Sequence, residues 1–120
     1  MILADTSIWI DHLRAPDPKL SHLLRARRIV THAFVIGEIA LGSLRNRAAV
    51  IAALNDLRQM RVAMPDEVMA LIENVRLFGR GIGYVDAHLL ASVRLTPGAR
   101  LWTRDKRLLE AAVLADVVAP

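Results

Sequence analysis

Apolar and polar positions follow one another in blocks along this chain, and the blocks differ in period. Met1-Ile2-Leu3-Ala4 is an unbroken apolar run, the pattern of a strand covered on both faces. It runs straight into Asp5-Thr6-Ser7, and a short helix is predicted from Thr6 to Leu13. Pro16-Asp17-Pro18 breaks the chain, with Asp17 placed to cap a helix and Pro18 to open it. Leu20, Leu23 and Leu24 share one face of that helix, which ends at Arg25-Ala26-Arg27-Arg28. Ile29-Val30-Thr31-His32 is short and β-branched, a second strand. A long helix is predicted from Phe34 to Arg45 through Val35, Ile39, Ala40 and Leu44, with Gly42 admitting a neighbouring backbone. The next runs from Ala48 to Met60 through Val50, Ile51, Leu54 and Leu57.

Arg61-Val62-Ala63-Met64 reads as a third strand, stopped by Pro65. Asp66 and Glu67 favour the start of a helix whose apolar face is Val68, Leu71, Ile72, Val75 and Phe78, with Gly79 as its C-cap. Gly81-Ile82-Gly83 leads into a helix from Tyr84 to Leu95, and Thr96-Pro97-Gly98 is a turn. Arg100-Leu101-Trp102-Thr103 is a fourth strand. Leu108, Leu109, Ala112 and Val113 are expected to face inward from a last helix, and Val117-Val118 to form a short final strand. Strands alternating with helices predict an α/β domain with a parallel sheet covered on both faces. No repeat or linker interrupts residues 1–120, so one domain is expected.

Composition narrows the classes. The chain is 54% hydrophobic and 23% charged, a globular balance with no cysteine for a disulfide, thiolate metal site or thiol nucleophile. No window approaches the roughly 18 apolar residues of a membrane span, and Asp5 interrupts any leader, so a soluble, cytoplasmic protein is expected. Sixteen basic against twelve acidic residues leave +4, and fourteen of the sixteen are Arg. That suits a polyanion or acidic partner, and equally a solvated basic surface.

The acids carry the chemistry. Asp5 stands where a strand becomes a helix, a position for an N-cap and also for a ligand at the carboxyl end of an α/β sheet. Asp105 repeats that placement after the fourth strand. Asp86 shares a helix stripe with Ile82, Leu89, Leu90 and Val93, and Glu38 lies among apolar neighbours. A carboxylate on an apolar face needs a partner, either an arginine, a cap or a cation. His88 points away from that stripe, as a surface or packing residue. With no Cys and no His pair at helical spacing, only oxygen ligands remain, which suits Mg²⁺ or Mn²⁺. Two like charges 4 Å apart repel by about 4 kcal/mol at an effective dielectric of 20. A whole domain is stable by only about 5–15 kcal/mol. Four such acids therefore stand apart, hold protons or share a cation. The Gly81-Ile82-Gly83 segment follows a helix and lacks a third glycine, which argues against a dinucleotide fold.

Four segments together resemble the PIN-domain family, and more closely its VapC-type toxins. They are Asp5-Thr6-Ser7-Ile8-Trp9-Ile10-Asp11, Ile36-Gly37-Glu38-Ile39-Ala40-Leu41-Gly42, Val85-Asp86-Ala87-His88-Leu89-Leu90-Ala91 and Thr103-Arg104-Asp105-Lys106-Arg107-Leu108. The resemblance covers essentially the whole chain. It implies a three-layer α/β/α fold with a central, mostly parallel sheet of four to five strands. It also implies a Mg²⁺-dependent endoribonuclease toxin, with Mn²⁺ able to substitute. Asp5, Asp86 and Asp105 would carry most of the metal coordination and Glu38 would ligate directly or through water. Thr6, Ser7 and Thr103 would orient ligands, and Arg104, Lys106 and Arg107 would hold RNA phosphates or be a solvated helix start. The implied partners are an RNA substrate and a cognate VapB-type antitoxin, in a homodimer or a toxin–antitoxin hetero-oligomer. Trp9, Leu13, Leu20 and Leu23 are candidates for antitoxin docking as well as for the core. A non-catalytic adaptor and a nuclease acting on DNA are the alternatives.

Overall fold

Ile2–Ala4 forms strand β1, and all three of its side chains are buried. The computed structural model describes residues 1–120. β1 pairs in parallel with β2 (Ile29–Thr31) on one side and with β4 (Arg100–Trp102) on the other. β3 (Arg58–Gln59) adds in parallel to β2, giving the order β3-β2-β1-β4. The helices are α1 (Thr6–Arg14), α2 (Pro18–Arg25), α3 (Ala33–Ala40), α4 (Arg47–Asp56), α5 (Pro65–Val75), α6 (Tyr84–Arg94) and α7 (Lys106–Leu114). α1, α3 and α4 pack together, and α5 packs on α6, which contacts β4. The result is the expected three-layer α/β/α arrangement around an all-parallel sheet. No helix is long and apolar enough to cross a membrane.

The chain passes from β1 to β2 and β3 on one side, then crosses to β4 on the other side of β1. The switch in direction therefore lies between β1 and β4. At such a point the connections leave in opposite directions and open a crevice at the carboxyl ends of the strands. Asp5 and Thr103 are the residues that leave β1 and β4 at this edge.

Several elements form as the sequence predicts. Asp17 caps α2, its carboxylate accepting from the Leu20 N–H at 2.9 Å, and Pro18 opens the helix. α6 is buried all round from Ala87 to Val93, with His88 and Ser92 the polar residues inside it. His88 is therefore an interior packing residue, edge-on to Phe34 and Tyr84. Trp9, Leu20 and Leu23 belong to the core, and only Leu13 of that set reaches the surface. The expected last strand is reduced to one parallel bridge between Leu101 and Val118.

Other elements differ. The third helix stops at Ala40, not Arg45, because the Gly42 N–H turns back to Ile39 O at 3.1 Å and Leu41 points into solvent. No neighbouring backbone approaches Gly42; an added Cβ would meet only Ile39 O. The fourth helix stops at Asp56, and the third strand is Arg58–Gln59 instead of residues 61–64. Leu57 is extended, and Met60 N–H donates to Thr31 O at 2.8 Å to continue the ladder. The strand's own side chains are exposed, so this edge carries no apolar signature. α5 ends with Arg76 in the left-handed region at φ 59°, not at Gly79, and Phe78 is exposed while Leu77 is buried. α7 is turned from the expected face: Leu108, Ala111 and Ala112 are buried, and Leu109 and Val113 are not.

This last difference has a measurable consequence. Leu108→Ala should cost about 2–5 kcal/mol in urea unfolding, as for a leucine removed from a packed core. Val113→Ala should stay within about 0.5 kcal/mol. Equal costs would contradict the observed face.

Candidate active site

Asp5 is buried at 5% exposure at the carboxyl end of β1 and is the N-cap of α1. Its Oδ1 accepts from the Ile8 N–H at 3.3 Å and from Ser7 Oγ at 2.5 Å. Its Oδ2 accepts from Thr103 Oγ1 at 2.5 Å. Cap and candidate ligand are therefore one residue. Three donors offset the desolvation that an unpartnered buried carboxylate would suffer.

The other three acids reach the same edge from different elements. Asp105 follows β4 and caps α7 through the Leu108 N–H at 3.1 Å, while its own N–H donates to Thr103 Oγ1 at 3.0 Å. Asp86, in the first turn of α6, accepts from the Gly83 N–H at 3.3 Å. Glu38, exposed on α3, accepts from Thr6 Oγ1 at 2.7 Å. Thr6 and Ser7 thus hold two acids from successive positions of α1, and Thr103 joins Asp5 to the Asp105 turn.

Asp86 lies close enough to the other three acids to feel their charge. Its pKa is raised, first by burial and then by the charges of Asp105, Glu38 and Asp5, against the opposing Gly83 N–H bond. As they stand, no three acidic or histidine side chains make a ready ligand cage. Mutual repulsion resists closer approach of like charges in the absence of a cation. The donor set is nonetheless all oxygen, from four carboxylates and their hydroxyl partners. It fits a hard divalent ion and not zinc.

The set extends beyond the residues expected from sequence. His32 caps α3, its Nδ1 accepting from the Phe34 N–H at 3.0 Å, so Nε2 carries the proton toward Ser92 Oγ at 3.0 Å. This bond ties the helix of Glu38 to the helix of Asp86. Burial, with His88 nearby, lowers the His32 pKa to about 4, which keeps the ring neutral and the link intact at neutral pH. A cleft of about 650 Å³ opens beside Glu38 and brings in Arg14 and Arg45. Lys106 and Arg107 are exposed near the Asp105 turn, and Arg107 lies across Gly81, whose φ of +77° precedes α6. The Arg104 guanidinium is already engaged by Asp11 at 2.8 Å and Asp17 at 2.5 Å. Arg14 and Arg45 come from segments far apart in the chain, so their meeting beside Glu38 was not legible in the sequence.

The profile of the PIN domain matches residues 2–114. This chain belongs to the PIN-domain family. Within it the sequence groups with the VapC type: it is 52% identical over 117 residues to Ribonuclease VapC32 of two Mycobacterium tuberculosis strains, CDC 1551 and H37Rv. The match covers 98% of this chain and 94% of the relative. The crystal structure of PAE2754 from Pyrobaculum aerophilum has the same fold, with a TM-score of 0.58 at 22% identity over 97% of this chain and 93% of that one. The acids of this PIN domain thus stand at the switch-point edge of a shared architecture.

The raised Asp86 pKa sets a sign for pH dependence. Between the ordinary carboxylate value and the raised one, the folded protein binds more protons than the unfolded chain. Asp86 therefore makes the metal-free protein lose stability as pH rises through that window. In chelator, the stability difference between wild type and Asp86→Asn should shift against wild type as pH rises there. A difference that is flat with pH would contradict the crowding.

Proposed function

We propose that this PIN domain is a Mg²⁺-dependent endoribonuclease toxin neutralised by a VapB-type antitoxin. What supports the reading is the position of Asp5 and Asp105 just after β1 and β4, at the switch point, with Glu38 bonded to Thr6 of α1 and Asp86 within the influence of the other three charges. The identity to a protein named as a ribonuclease supports RNA as the substrate.

Asp5, Asp86 and Asp105 would hold the cation, with Glu38 at its margin. A bound divalent ion would neutralise charge on the scissile phosphate and lower the pKa of a water that attacks it. The chain's own residues prepare this. Ser7 and Thr103 each donate a hydrogen bond to Asp5, which fixes the direction of both its oxygens. Thr6 restrains Glu38 against α1. Asp86, its pKa raised first by burial and then by the other three acids, would be the residue whose ionisation a bound cation favours most. Arg14 and Arg45 in the cleft beside Glu38, and Lys106 and Arg107 next to Asp105 in the chain, would offer positive charge to an RNA backbone.

The test compares cleavage of an RNA mixture by wild type and Asp5→Asn, with Mg²⁺ and with chelator. Wild type should cleave only with the ion. Asp5→Asn should lose at least about a hundredfold in rate, the scale expected when a preorganised charge-stabilising group is removed, with its circular dichroism unchanged. Cleavage that persists in chelator would contradict the cation. Cleavage of DNA but not RNA would move the protein to the DNA-nuclease reading.

A further inference from the structure

We infer that Arg104 is a positioning residue for Asp5, acting through Asp11, Asp17 and Ser7 and not by gripping substrate. This rests on the reading of Asp5 as a cation ligand. Arg104 touches the site twice, in two different ways. Its main-chain N–H donates to Ser7 Oγ at 3.0 Å, and Ser7 Oγ donates to Asp5 Oδ1 at 2.5 Å. A hydroxyl has one proton. With the Arg104 N–H fixed on the oxygen, that proton is left to face Asp5. The neighbouring Thr103 repeats the device: its oxygen accepts from the Asp105 N–H and its proton goes to Asp5 Oδ2. Residues 103–105 thus direct both oxygens of Asp5.

The Arg104 side chain holds that segment in place. Its two terminal nitrogens donate to Asp11 on α1 and to Asp17 at the start of α2. Asp17 is itself fixed, capping α2 through the Leu20 N–H and donating its own N–H to His12 Nδ1 at 2.9 Å. The Asp17 pKa is lowered by the Leu20 bond and then by Arg104. The guanidinium also stands 5.6 Å from the centre of the Trp102 ring. A forked cation with each terminal nitrogen on a carboxylate already has its charge paired and its plane fixed, which suits a strap better than a phosphate grip. As a strap, it pins the β4–α7 turn to α1 and α2, and the turn in turn aims Ser7.

Lysine separates the two roles, because it keeps the charge and loses the fork. Mn²⁺ affinity is measured by titration calorimetry for wild type, Arg104→Lys, Ser7→Ala and the double variant, with circular dichroism on each. Arg104→Lys should raise the Mn²⁺ Kd about tenfold, the lower end for loss of a ligand's supporting partner. The double variant should lose less than the product of the two single losses, since Arg104 and Ser7 share the path to Asp5 Oδ1. An unchanged Kd in Arg104→Lys, even with a lowered Tm, would overturn the proposal, as would losses that multiply. Should Arg104→Lys not fold, Asp17→Asn keeps the cap acceptor, removes the ion pair and should raise Kd in the same direction. Wild type that binds no Mn²⁺ would sink the metal reading and this inference with it. Wild type that binds while Arg104→Lys is unchanged would sink this inference alone.

Discussion

The structure turns on one buried carboxylate. Asp5 ends the central strand, begins the first helix and holds the turn after β4 through Thr103. A charge at that depth is tolerated because two hydroxyls and a backbone N–H are aimed at it. Those donors come from the helix it caps and from the turn after β4, nearly a hundred residues away. The β1–β4 pairing, the start of α1 and the turn before α7 are therefore coupled through one side chain. The cost of the arrangement shows at Asp86, whose pKa is raised first by burial and then by the charges of the other three acids.

Much of this was legible along the chain. β1, β2 and β4 were visible as apolar or β-branched runs, and α2 as a capped helix opened by proline. Each rests on local chemistry. What failed rested on tertiary context. β3 is an exposed edge strand of two residues with no apolar side chain to betray it. The end of α3 is decided by where Leu41 has nothing to bury against, and the face of α7 by alanines filling close space that Leu109 and Val113 were expected to fill. Arg76 takes the left-handed turn that glycine usually takes, because the chain must reverse there to bury Leu77.

The four acids were readable as anomalies, two at strand ends and two on apolar helices. Their supporting network was not. The Thr103–Asp5, Thr6–Glu38 and His32–Ser92 bonds join residues far apart in sequence, and no local pattern announces them. Arg104 shows the same limit from the other side. Beside an acid at a helix start it reads as a phosphate contact, yet Asp11 and Asp17 reach it from elements far upstream. Arg14 and Arg45, from two separate segments, meet in the cleft beside Glu38, a juxtaposition that no local pattern announces either.

The direct test is where a cation binds. Crystals of the active protein grown with Mn²⁺ should show anomalous scattering between Asp5, Asp86 and Asp105, with Glu38 at the edge. Absence of a peak there, or a peak only at another site, in a protein that still cleaves RNA would contradict the assignment of these acids.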